Sequence, residues 1–184
     1  MNSTIHRMRF YQEITSLFGP PTPEISIRLA NGSFVGELTE LGSLLPCAST
    51  FSDVMACKAD FEQPQEEVST IYTTTFEVPN PPVSLSESGH VKEAIPKLYE
   101  DLYRIYEYFG LNFEQGTIKE RPDALMVELD FMQYLIYLES HQQMDVAPLR
   151  KAQCDFLDRH LSHFVDSLVN KLKEKNISPY QELG

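Results

Sequence analysis

The chain has 184 residues, 42% of them hydrophobic and 23% charged, which suits a single domain with a substantial core. Its net charge of −12 excludes the clustered Lys and Arg of a nucleic-acid footprint and favours basic partners, because a summed negative field speeds encounters with cations. Residues 1–10 hold His6, Arg7 and Arg9 with no apolar core, so no signal peptide is expected there. No apolar run approaches the roughly 18 residues of a spanning helix. Three cysteines, Cys47, Cys57 and Cys154, without a knuckle or redox spacing are expected as small core residues in a reducing cytoplasm.

Residues 4–18 read as an amphipathic helix, with Ile5, Met8, Tyr11, Ile14 and Phe18 at three- and four-residue steps. Gly19-Pro20-Pro21 ends it. A short helix over 23–30 stops at Asn31-Gly32, and Ser33 opens a third with Phe34, Leu38, Leu41 and Leu45 on one face. Residues 47–61 permit another. The segment 65–76 is β-branched and favours strand on propensity. Yet Val68, Ile71, Tyr72, Thr75 and Phe76 fall at helical spacing, and a lone strand has nothing to pair with, so a helix is expected.

Pro79, Pro81 and Pro82 make residues 78–89 an irregular loop, with Val78, Val83 and Leu85 as apolar anchors. Loops held on a rigid scaffold are where binding concentrates. Residues 91–109 form a helix whose true start lies near Ile95, because of Pro96. Residues 121–139 are apolar on nearly every side and are expected as the central helix, with Pro122 at its first position and Asp123 facing the positive end of its dipole. Pro148 starts a last long helix carrying a continuous stripe from Leu149 through Phe156, His160 and Phe164 to Leu172.

Tests for chemistry return little. Neither G-x-G-x-x-G, G-x-x-x-x-G-K nor G-x-S-x-G occurs, and neither Glu128 nor Glu139 has the His three residues on that a ferritin-like site needs. His160 lies on the apolar stripe and His163 off it, so His160 is expected as a packed, hydrogen-bonded core residue. Glu128 shares a face with Leu125, Met132 and Leu135. A carboxyl there must bond or shift its pKa, and the Pro-rich loop or a tyrosine is its expected partner.

Three motifs carry a resemblance. P-D-A-L-M-V-E-L-D-F-M (122–132) resembles the P-D-H-L-x-x-E-L-x-F-M signature of the TorD/DmsD/NarJ family of molybdoenzyme maturation chaperones. Q-C-D-F-L-D-R-H-L (153–161) is similar to that family's Q-x-x-F-L-x-x-H-L, and Y-T-T-T-F-E-V-P-N-P-P (72–82) to its Y-x-x-L-F-x-x-P-x-P-P. The flavour of Y-E-Y-F-G-L and V-E-L-D-F-M is similar to the branch accompanying dimethylsulfide, ethylbenzene or selenate-type enzymes. Two positions depart: the family's His after Asp is Ala124, and Leu85-Ser86-Glu87-Ser88 stands where the loop often carries an aromatic.

The resemblance implies an all-α, TorD-like helical bundle over residues 1–184 and a cytoplasmic chaperone, not an enzyme. Such a protein, monomer or homodimer, has no cofactor of its own, since molybdopterin belongs to the client. Its partner would be a molybdenum oxidoreductase catalytic subunit and, in many members, that subunit's twin-arginine signal peptide. The residues implied in partner binding are Asp123 as an exposed acidic contact beside Pro122, then Tyr72, Phe76, Pro82, Val83, Leu85 and Glu87 around the loop, with Glu128 bracing the helix. Two alternatives stay open: a helical-bundle metal or small-molecule enzyme using Glu128, Asp130 and His160, and a plain helical adaptor.

Overall fold

The computed structural model describes residues 3–45, 65–111, 120–141, 145–177 and 180. Helix α1 (Ser3–Phe18) is followed by α2 (Pro23–Ala30), whose N-cap Thr22 accepts the Ile25 N–H while Pro23 fills the first turn. Gly32, at φ +71, makes a left-handed turn into α3 (Ser33–Ser43). Gly32, rather than Ser33, is therefore the residue before the helix. The helix expected over 47–61 and two of the cysteines, Cys47 and Cys57, lie outside the described residues. Cys154 is exposed rather than in the core, because it sits between the inward-facing Gln153 and Phe156 on the solvent side of its helix.

The β-branched segment is helical: α4 (Gln65–Tyr72) runs straight into a π-turn, Thr73–Glu77. The hydroxyls of Thr70 and Thr74 donate back to the carbonyls of Glu66 and Thr70, so the threonines spend their polarity within the helix. Val68, Tyr72, Thr75 and Phe76 are buried, and Tyr72 and Phe76 form an aromatic cluster with Phe18 and Tyr180. Packing overrides the strand propensity here.

Helix α5 (Ile95–Tyr108) starts at Ile95 as expected, with Pro96 in its first turn. Helix α6 (Leu125–Ser140) is central, with Leu125, Leu129, Phe131, Met132, Leu135, Ile136 and Leu138 all buried. Helix α1 packs along it, aided by a Gln133–Thr15 hydrogen bond, and α7 (Val146–Phe156) lies against it on another side. The last long helix begins two residues before Pro148. It is broken into α7, a π-turn (Leu157–Leu161) and α8 (Ser162–Lys175), which Asn176 ends in the left-handed conformation. The extra residue of a π-turn shifts the stripe by one position, so the neighbours His160 and Leu161 both face inward.

The fold class is therefore all-α. Among the described residues the extended pairing consists of one antiparallel bridge, Ser86 with Ala124. It decides where the central helix begins, and it sits at the functional region.

Candidate functional site

The Pro-rich loop lies against the start of α6. Val83, fully buried, donates its N–H to the Thr75 carbonyl, so the loop hangs from the π-turn of α4. It then runs antiparallel to the chain entering α6: Leu125 N–H donates to the Leu85 carbonyl at 2.9 Å, and Glu87 N–H donates to the Asp123 carbonyl at 2.8 Å. This pairing holds Ala124 extended, at φ −74 and ψ 135, which delays the helix to Leu125. The sequence expectation of Pro122 as the first helical residue is thus corrected, because two backbone hydrogen bonds to the loop outweigh the local preference for starting at the proline.

Asp123 is the hub of this junction, and it is not exposed. Its side chain has no solvent contact and accepts three hydrogen bonds: from Ser88 N–H at 3.1 Å, from the Tyr99 hydroxyl at 3.1 Å and from Arg121 at 3.1 Å. Arg121 also reaches Ser88 Oγ and the Tyr99 hydroxyl, both at 2.7 Å. The expected exposed acidic contact is therefore corrected to an interior brace, since a carboxylate can be buried when donors surround it. The same correction applies along the loop. Glu87, Val83, Pro122, Tyr72 and Phe76 are buried, Leu85 is half-buried, and Pro82 is the one exposed member of the implied partner-binding set.

Behind the loop is a second polar group. Glu87, on a short 3₁₀ turn (Glu87–Gly89), meets His160 Nδ1 at 3.0 Å from one carboxyl oxygen and 3.3 Å from the other. Glu128 lies against the same Glu87 carboxyl with no solvent exposure, and among the described residues no N–H or O–H donates to either of its oxygens. Burial first, then the charges of Glu87 and Asp123, push Glu128 well above the usual carboxylate range. On the far side, His160 Nε2 is 3.6 Å from Asp101 Oδ2, and Asp101 is ion-paired with Arg159. Tyr106 crosses the base of the group and donates its hydroxyl to the Pro122 carbonyl at 2.9 Å. Burial, helped by Glu128, Glu87 and Asp123, pushes that phenol far up.

Glu128 is buried beside the loop as expected, but among the described residues neither of its oxygens has a hydrogen-bond partner; His160 is a packed core residue with a hydrogen-bonding partner, Glu87. The enzyme alternative fares differently. Asp130 is on the opposite, exposed side of α6 with Gln133 and does not join Glu128 and His160. His163 is exposed, so no histidine pair forms. Among the described residues no three His, Cys, Asp or Glu side chains are arranged to hold a metal ion.

Several members escaped the sequence reading. Tyr99, Arg121 and Ser88 complete the Asp123 brace. His90 ties the loop to Ser167 at 3.0 Å and to the Ser84 carbonyl at 2.8 Å, and Lys171 donates to the Gly89 carbonyl. No spacing rule links these residues, which are up to 82 positions apart. The usable signal was the pairing of one loop acid, Glu87, with one histidine on an apolar stripe. Alongside this region, a groove of about 510 Å³ opens between α5 and α7, floored by Ile105, Phe109, Leu149, Ala152 and Phe156 and rimmed by the Arg159–Asp101 and Lys151–Asp155 pairs.

Together these features define an all-helical protein in which a Pro-rich loop is locked to the central helix by buried acids. Residues 34–170 match the family described as nitrate reductase delta subunit, a span of well over half the chain that includes all three motifs. The chain belongs to that family. It is also 34% identical over 91 residues to the "Selenate reductase assembly chaperone protein" of Thauera selenatis, a stretch covering 47% of this chain and 46% of that relative. The chain thus matches about half the length of this curated relative. No solved structure matches the chain. Among the described residues no helix is long and apolar enough to cross a membrane.

Proposed function

We propose that this protein is a dedicated assembly chaperone for a molybdenum-containing oxidoreductase, holding the catalytic subunit before its folding is complete. The observation that carries this reading is the family match over residues 34–170, and the assembly-chaperone relative supports a reductase as client. The protein works in the cytoplasm, performs no catalysis and leaves molybdopterin to the client. The client's twin-arginine signal peptide is a second ligand, and the −12 charge suits it, because complementary potentials speed encounter and favour the right partner. Contact falls to the outward edge of the loop, chiefly Pro82 and Leu85. Asp123, Glu87, Glu128, Val83, Pro122, Tyr72 and Phe76 act from the interior by fixing the shape of that edge.

Affinity capture from the native host tests the proposal. Recovery of a cofactor-free molybdoenzyme catalytic subunit is the expected result. Recovery of unrelated metabolic enzymes alone, with no such subunit, overturns the chaperone reading. Pro82→Ala with Leu85→Ser should weaken client capture at least several-fold at unchanged helical content. If capture is unchanged, the contact edge lies elsewhere although the function stands.

A further inference from the structure

Buried carboxyls normally come with donors. Glu128 has none among the described residues, and its neighbour in the loop is another carboxyl. Two carboxyls buried near one another away from water cannot both ionise without a large electrostatic cost, and Glu128 has no donor among the described residues to offset it. We propose that the Glu128–Glu87–His160 row is a proton-operated latch: the proton on buried Glu128 keeps residues 83–91 on the start of α6, and its loss lets that loop lift.

Among the described residues no other group is placed to neutralise Glu128. In the loop, Glu87 is acidic and His90 is committed to Ser84 and Ser167. At the entry to α6, Asp123 is a further acid, and its counter-charge Arg121 is engaged with Asp123, Ser88 and Tyr99. From α5 come the Tyr106 hydroxyl, directed to Pro122, and Asp101, paired with Arg159 of the π-turn. Glu93, just before α5, is paired with Lys97. His160 of the π-turn faces Glu87, and Lys171 of α8 is held at the Gly89 carbonyl. Ionised Glu128 would therefore face acids and a phenol, and it reaches water most directly if Glu87 moves away. His160 faces inward from the π-turn, so a lifted Glu87 also gives up its histidine partner.

The sign follows from linkage. The closed loop raises the Glu128 pKa and the lifted loop restores it towards its ordinary value, so the closed form binds the extra proton between those two values. Closure is complete at low pH and weakens as pH rises through that window. This inference does not depend on the chaperone reading.

Amide hydrogen exchange on the full chain, corrected for the intrinsic rate, tests the latch at Glu87, His90 and Val91, whose N–H groups donate within this junction. In the wild type, protection should fall by about tenfold per pH unit from roughly pH 5 upward until the raised value is passed, as release of one proton requires. E128Q, which donates to Glu87 but cannot ionise, should hold its protection flat. A wild type flat across pH 5–9, or an E128Q that loses protection in step with it, overturns the latch. Carbon-13 titration of wild-type glutamate carboxyls keeps the test valid should E128Q fold poorly. One glutamate must titrate far above its fellows, and the fall in protection must level off where it does; no such glutamate, or a fall that levels off at a different pH, overturns the latch as well.

Discussion

Helix α6 carries two buried glutamates three turns apart, and they behave as opposites. Glu139 accepts from Arg7 at 2.8 Å, from Gln153 at 3.0 Å and from Arg150 at 3.0 Å, tying α1 and α7 to the central helix. Burial pushes its pKa up, but hydrogen bonds from Gln153, Arg7 and Arg150 outweigh burial and leave it below the usual carboxylate range. Glu128 is also buried, and burial first, then the charges of Glu87 and Asp123, drive it up. A buried acid is thus a fixed tie or a titrating element according to its donors, and burial alone does not say which. The first kind holds three helices together. The second sits under the one loop that the sequence marks out.

The largest expected effect comes from removing the fixed tie. Glu139→Ala leaves buried Gln153 without its acceptor and releases two arginines, for a loss of about 3 kcal/mol at pH 7 in urea unfolding. Because the folded pKa of Glu139 is depressed, the stability it supplies is present above its ordinary value near 4.5 and is lost as pH falls through the folded value. The deficit of the variant should therefore shrink in acid. A deficit that persists undiminished at pH 2–3 would mean the glutamate acts through packing rather than charge.

Glu128→Gln sharpens the contrast by reversing the sign. The raised folded pKa makes the contribution of Glu128 complete below about 4.5 and lost as pH rises through the folded value. Relative to wild type, the variant should gain about 1.4 kcal/mol per pH unit across that window and differ little in acid. Urea midpoints that run parallel for the two proteins from pH 5 to pH 8 would break the comparison.

The smallest effect belongs to the rim. Arg121 is about half exposed and bonds Asp123 from the solvent side, so Arg121→Ala should cost less than about 1 kcal/mol of global stability. It should still raise exchange at Ser88, whose amide relies on the Asp123 carboxylate that Arg121 steadies. An unchanged Ser88 amide would remove Arg121 from the brace.

Much of the fold was legible because it rests on local chemistry. The boundaries of α2 follow from Thr22, Pro23 and Asn31, the start of α5 from Pro96, and the inward stripe of α7 and α8 from its spacing. The β-branched segment around Tyr72 was readable from its periodicity, against its propensity. The site was legible in membership more than in role. Asp123, Glu128, Glu87 and the loop were singled out by the motifs, but a carboxyl's exposure depends on donors remote in sequence. Ser88, Tyr99 and Tyr106 come from other elements, and nothing in the local pattern around Asp123 names them. The exposed Cys154 illustrates the same limit at the surface.

Taken alone, the sequence determined an all-helical chain, a Pro-rich loop in its middle and a family, because periodicity, proline chemistry and motif order are properties of neighbouring residues. Tertiary structure alone decided three things. It moved the start of α6 from Pro122 to Leu125 through the Ser86–Ala124 pairing, and it used a π-turn to bring His160 onto Glu87. Among the described residues it also left Glu128 without a donor while giving Glu139 three. Each depends on which groups meet across distant segments, and the charge state of a buried acid is set by those meetings.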